Sequence, residues 1–324
     1  MDDSRPESLR KALDDWRVRL DDPWLVAVWP GMGSVARLVG AYLSQQLAVQ
    51  HIADLADETY TPPAVQVQNG LIQPVPSPRQ SLSGWRHPTG GRDLVIFESE
   101  AQPQQPGARV GLRLIEAART LGVTRICTFA AMATLIDPGT APRVFAAATD
   151  AVLLDEVLRL DAVPLVDGSI GGLNGSLAGM AAEHGIGALC LLGEMPYYAT
   201  GFANPKAAAA ALRVFAKQAD ITLDMSALDA QAATVERHLL ELRKRADRGA
   251  IMLDAAATEE PQSTEPEATS QDPAEQRTKR RIERLFDVVR RDRSRAPLLK
   301  AELDRHGWFA RYEDRFLDLF KRAD

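Results

Sequence analysis

Cysteine and histidine are scarce: the 324 residues hold only Cys127, Cys190 and five histidines, none of them in CxxC, HxH or HExxH spacing. A structural zinc site therefore lacks ligands and a disulfide framework lacks partners, which fits a reducing compartment. Long apolar runs are missing too. The first twenty residues, MDDSRPESLRKALDDWRVRL, carry charges throughout and hold no apolar stretch of signal-peptide type. Neither a signal peptide nor a membrane span is expected, and the cytoplasm is the expected location. No structural unit repeats at a fixed period, which disfavours solenoids and propellers. Ser34, Ser169 and Ser176 lack a GxSxG elbow, and no other recognised catalytic constellation occurs.

What is present is 45% apolar and 25% charged, the composition of a soluble globular chain with material for one large or two medium domains. The net charge of -6 is uneven: residues 276–324 hold 15 Lys and Arg against 9 Asp and Glu, leaving -12 for residues 1–275. Between the two parts runs AAATEEPQSTEPEATSQDPAEQ, rich in Pro, Ser, Thr and Glu and without a large apolar residue. Such a segment buries too little surface to offset its ordering entropy. The expected organisation is an α/β core over 1–254, a disordered acidic linker over 255–276 and a basic amphipathic helical segment over 277–324.

In the core, apolar runs of strand length at Trp24–Trp29, Gln50–Leu55, Asp93–Phe97, Arg125–Phe129, Arg143–Ala147, Ala162–Val166 and Ile186–Leu192 alternate with helical periodicity. The helical segments are Ser34–Ala48, Ala108–Leu121, Asp150–Leu160, Asn174–His184 and Pro205–Ala219, with a further helix over Leu228–Leu253. Near-continuous apolar strands in this alternation predict a mostly parallel sheet covered on both faces. Ala64–Val75 alternates on each side of Asn69-Gly70 and predicts a hairpin inserted at an edge.

Ligands of such sheets bind beyond the carboxyl ends of the strands. There Gly31-Met32-Gly33-Ser34-Val35-Ala36 matches a GxGxxA dinucleotide fingerprint, with Asp54 near the end of the next strand, or else serves only a tight turn. The cluster Gly168–Ser176, with Gly171, Asn174 and Gly175, either receives an anion at a helix start or lets the helix lie close to its neighbours. Glu194 is a carboxylate after an apolar strand, or a brace for the Met195–Pro205 loop. The candidate ligand positions are therefore Gly31, Gly33, Ser34, Gly171, Asn174, Gly175 and Glu194. Glu98 and Glu100 form a possible acid–base pair or a solvated loop. Cys127 and Cys190 sit within apolar runs and read as core residues. Arg37, Arg79, Arg86, His87, Arg143 and Lys206 are the cations available to a phosphate.

The succession LVAVWPGMGSVA, LVIFESEAQPQQPG, GVTRICTFAAMAT with PRVFAAATD, and DGSIGGLNGSLAGMAAEHGIGALCLLGEMPYY with NPKAAAAALRVFA resembles the PAC2 family, named for a proteasome assembly chaperone. The resemblance spans roughly Pro23 to Arg248, and it is to a bacterial member with a C-terminal helical extension. It implies a three-layer α/β/α sandwich of phosphorylase/hydrolase-like type, self-association into homo-oligomers such as a trimer, and protein binding rather than catalysis, without a cofactor. The implied partner is proteasome-related. Relatives that dock through a hydrophobic–Tyr–any tail differ from this chain, whose last residues are Phe320-Lys321-Arg322-Ala323-Asp324. The alternative is a nucleoside- or nucleotide-binding enzyme that uses the glycine loops.

In the basic segment, Ile282, Leu285, Phe286 and Val289 fall on one helical face, Leu298, Leu299 and Leu303 on another, and Trp308, Phe309, Tyr312, Phe316, Leu319 and Phe320 on a third, with breaks at Ala296-Pro297 and Gly307. Acidic residues interleaved with the arginines favour a salt-bridged face over a nucleic-acid surface. A helical arm that docks on its own core, a neighbouring subunit or a partner is the expected result.

Overall fold

The computed structural model describes residues 7–55, 65–73, 77–103, 108–256, 273–291, 299–300, 302–303, 306 and 308–319. They divide into two compact units, Met1–Asp254 and Ala255–Asp324. The expected linker falls largely on 257–272, outside the described residues, as do Leu298, Phe320 and the breaks at Ala296-Pro297 and Gly307.

The first unit is built on an eight-stranded sheet. Its strands are β1 (Trp24–Val28), β2 (Gln50–Asp54), β5 (Gln80–Trp85), β6 (Leu94–Ser99), β7 (Arg125–Thr134), β8 (Val144–Ala148), β9 (Val163–Pro164) and β10 (Gly187–Pro196), in the order β2-β5-β6-β1-β7-β10-β8-β9. The central strands β6, β1, β7 and β10 are parallel. The pairs β2–β5, β5–β6 and β10–β8 are antiparallel. All five residues of β1 are buried, and their alternation sorts the two faces. Trp24, Val26 and Val28 join one core with α2 (Val35–Gln46), α6 (Pro205–Ala219) and the start of α7 (Ser226–Ala256). Leu25 and Ala27 join the opposite core with α1 (Glu7–Arg17), α3 (Ala108–Leu121) and α5 (Leu173–Glu183). A strand apolar at every position suits a sheet buried on both sides, and the result is an α/β/α sandwich.

Three local differences from the sequence expectation matter for the site. β7 and β10 pair over ten residues, from Gly187↔Arg125 to Pro196↔Thr134, so stretches expected to be loops continue the two central strands past their neighbours. After α4 (Ala151–Leu158), β9 has two residues and runs with β8, against the central strands. The segment that follows must therefore turn back, and Leu165 and Ile170 pack over Phe145, Cys190 and Leu192 on the β8–β10 face. The Asn69-Gly70 hairpin forms, with β3 (Gln66–Gln68) and β4 (Leu71–Gln73), but as a separate two-stranded sheet rather than an edge addition. Asn69 and Gly70 take the positive φ, 52° and 79°, that a two-residue turn requires; Ala64 and residues 74–75 lie outside the described residues.

In the second unit, Ile282, Phe286 and Val289 of α8 (Pro273–Arg291) bury with Leu299, Leu303 and Tyr312, the last on α9 (Phe309–Asp318). The apolar faces close on one another, and Arg315 ties α9 to Glu283 of α8 at 2.7 Å. Among the described residues no helix is long and apolar enough to cross a membrane.

Candidate functional site

The connection leaving β1 runs toward β2 and that leaving β7 runs toward β8, in opposite directions from neighbouring strands. The crevice between their carboxyl ends is the topological switch point, where open α/β sheets bind ligands. A cleft of about 380 Å³ opens there, bordered by Gly31, Met32, Met132, Leu165, Ile170 and Asn174.

Asn174 does not offer its amide to this cleft. It is buried at 4% exposure; its Oδ1 accepts from the Trp29 N–H at 3.0 Å and its Nδ2 donates to the Trp29 carbonyl at 3.2 Å. Gln102 makes a second stitch, donating to the Pro30 carbonyl at 2.8 Å and accepting from the Leu173 N–H at 3.3 Å. Two amide side chains thus join the loops after β1, β6 and β9. Gly31 lies against Asn174, whose Nδ2 would sit 3.3 Å from an added Cβ. Gly33, at φ 62°, donates to the Thr200 carbonyl at 3.0 Å and accepts from the Asn204 N–H at 2.8 Å, and Ser34 donates its N–H to Gly31 at 2.9 Å. The Gly33 and Ser34 amides, which a phosphate at this turn would need, are engaged with protein carbonyls. Gly175 donates to Gly172 at 3.2 Å and lets the Ile170 carbonyl approach to 2.1 Å of where a Cβ would stand, whereas Gly171 faces open space. Asp54 is set apart from this turn, because β5 and β6 separate β2 from β1.

Glu194 lies inside β10, opposite Met132, rather than in the loop beyond. It braces residues 134–143 instead of the Met195–Pro205 loop: Arg143 donates Nη2 to Oε1 at 2.6 Å and Nε to Oε2 at 2.9 Å, and Thr134 Oγ1 donates to Oε1 at 2.8 Å. The Arg143 hydrogen bonds, above all, hold the buried Glu194 carboxyl down at about 2, against burial, which pushes it up. It stays ionised across the physiological range and is no general acid. A depressed carboxylate stabilises the fold above its unfolded pKa, and that contribution fades as pH falls from about 4.5 toward 2. The expected contribution is about 1–3 kcal/mol, reduced by solvent around the half-exposed arginine. Urea unfolding of the wild type and Glu194→Gln should therefore show a gap of that size at pH 7 that narrows by pH 3; a gap independent of pH contradicts this role.

Other expected site residues are also engaged. Lys206 donates to the Pro138 carbonyl and to Glu236, each at 2.6 Å, and Arg243 pairs with Asp137, so α6 and α7 hold the 134–143 loop. Glu98 accepts from the Ser44 hydroxyl at 3.0 Å and Glu100 from the Arg79 N–H at 2.9 Å, which gives them separate partners. Burial raises both thiols, Cys190 to about 11 and Cys127 well above the usual thiol range, so neither is a nucleophile at neutral pH. Among the described residues no group of three or more His, Cys, Asp or Glu could hold a metal. The loops at this edge expose apolar side chains: Met32, Leu135, Tyr198 and Phe202, with Leu135 85% exposed. Sequence reasoning did not single out Gln102 or these tips; an isolated glutamine in a Gln/Pro-rich stretch carries no signal of its partners.

The PAC2 family model matches residues 25–243. Among solved structures, the chain is similar to PbaB of Pyrococcus furiosus, an archaeal proteasome activator, at 24% identity and a TM-score of 0.59 over 74% of this chain and 96% of that one. It is similar to a proteasome-assembly chaperone homologue of Mycobacterium tuberculosis at 22% identity and a TM-score of 0.57, covering 68% of this chain and 94% of that one. An uncharacterised protein of Methanocaldococcus jannaschii is 23% identical over 256 residues, 75% of this chain and 90% of the relative. With the match running from the first residues of β1 through the first half of α7, the chain belongs to the PAC2 family.

Proposed function

We propose that this protein is a chaperone-like, protein-binding assembly factor of the cytoplasm that acts as a homo-oligomer on a proteasome-related client. One observation carries the reading. At the switch point where an α/β sheet would place catalysis, the Gly33 and Ser34 amides, Arg143 and Lys206 are engaged within the chain while Met32, Leu135, Tyr198 and Phe202 face outward. Exposed apolar side chains above internally satisfied loops suit a protein contact. The cleft beneath, with Met32 and Met132 in its walls, would accept an apolar anchor from the client, since thioether side chains adapt to varied shapes. The likeness to an archaeal proteasome activator and to a proteasome-assembly chaperone homologue supports the choice of client. Nucleotide handling has less support, because the Gly33 and Ser34 amides, Arg143 and Lys206 are all engaged.

The test is co-sedimentation of the full chain with purified proteasome core particles and their half-assemblies, alongside Leu135→Glu/Phe202→Glu. Wild-type binding that weakens at least about tenfold in the double variant is expected for anchors of this size. Absence of wild-type binding, or binding indifferent to the two substitutions, overturns the proposal.

A further inference from the structure

A different cleft, of about 470 Å³, lies at the carboxyl ends of β1 and β6 between α2 and β5. Four charged residues line it, Arg37, Arg79, Glu98 and Glu100, and of these Arg37 and Glu98 do not pair with each other. Glu98 is half-buried, and among the described residues its one hydrogen-bond donor is the Ser44 hydroxyl and no cation pairs with it. Arg37 is exposed on the first turn of α2 and has no ion-pair or hydrogen-bond partner among the described residues. The position of Glu98 is built: a Cβ on Gly40 would lie 2.5 Å from Val28 Cγ2 and 3.1 Å from Glu98 Oε1, so glycine there keeps the space in which the carboxylate stands. The opposite wall is fixed as well, because Arg79 and Glu100 exchange two hydrogen bonds, Arg79 N–H to Glu100 Oε2 at 2.9 Å and Glu100 N–H to the Arg79 carbonyl at 3.0 Å.

A carboxylate drawn partly out of water without a cation favours the arrival of an ammonium group, and a guanidinium fork matches a carboxylate in plane. Both groups line one cleft, and Leu38 and Ala41 contribute apolar surface to it. We propose that this cleft binds a free α-amino acid with an apolar side chain, its ammonium on Glu98 and its carboxylate on Arg37. No nucleophile or metal is called for, so the site binds its ligand and does not turn it over.

The full chain titrated calorimetrically with L-leucine, L-valine and L-alanine tests this. Saturable binding of at least one of them is expected below about 10 mM, with leucinamide and 4-methylpentanoate, which lack the carboxylate and the ammonium respectively, at least about tenfold weaker. Glu98→Gln and Arg37→Gln should each weaken binding by at least about tenfold. Arg37 is exposed, so its variant folds even if the Glu98 variant does not. Absence of binding, equal binding of either half-ligand, or an unchanged affinity in Arg37→Gln overturns the proposal.

Discussion

Asn174→Ala is expected to lower the melting temperature of the α/β unit by roughly 10 °C, a loss of about 3–4 kcal/mol. The side chain is 4% exposed and satisfies both backbone groups of Trp29, itself fully buried against Phe97 at 5.0 Å between ring centres. Alanine removes the side chain that serves a buried donor and a buried acceptor, at a depth where each lost bond costs about 1–3 kcal/mol. Asn174→Asp tests the geometry: one oxygen can still accept from the Trp29 N–H, but the other replaces the donor that faces the Trp29 carbonyl at 3.2 Å. Its expected loss approaches that of alanine, since an oxygen now opposes an oxygen. Calorimetric melts of the two variants check this; a fall under about 3 °C for both would mean that Trp29 finds other partners.

The same residue shows what the sequence allowed to be seen. Asn174 stood out because it follows a glycine cluster at a helix start; it borders the cleft with its amide turned to Trp29. Its role depended on Trp29, 145 positions away, which no local pattern reveals. The central parallel strands and most helices were legible because burial on both faces leaves continuous apolar runs and 3.6-residue stripes. Two elements were not, and they hide each other. β5 turns Gln80, Leu82 and Gly84 inward, a face with a single large apolar residue. Gly84 is there because the Trp16 ring of α1 occupies the place of its Cβ, which would lie 2.3 Å from Cζ3. α1 in turn buries only Leu13 and Trp16 in an otherwise charged helix. One aromatic ring filling one glycine makes both segments look polar in the sequence. Glu194 was misplaced for a related reason: β7 and β10 extend each other, and neither stretch signals the extension alone.

Gly193→Ala is expected to destabilise the same unit by about 3 kcal/mol, at the upper end for one added methyl. Gly193 pairs with Ala131 on one side and Val144 on the other, so its backbone is held within the sheet. Its missing side chain is the space into which α6 settles: an added Cβ would stand 2.3 Å from the Ala207 carbonyl oxygen and 2.7 Å from its carbon. The obstacle is backbone, and α6 cannot withdraw freely. Its first turn is capped by Asn204 Oδ1, which accepts from the Ala207 N–H at 2.9 Å, and the Asn204 N–H donates to Gly33 at 2.8 Å. Moving the helix would loosen the cap and the turn after β1 together, so amide exchange at Ala207 and Asn204 should accelerate along with the fall in the urea midpoint. Gly179→Ala is the control, because that position is helical, exposed and open, and the change should stabilise by about 0.5–1 kcal/mol. If Gly193→Ala instead matches the wild type, the contact between β10 and α6 is looser than described, and the coupling from central strand through helix cap to carboxyl-edge turn is lost with it.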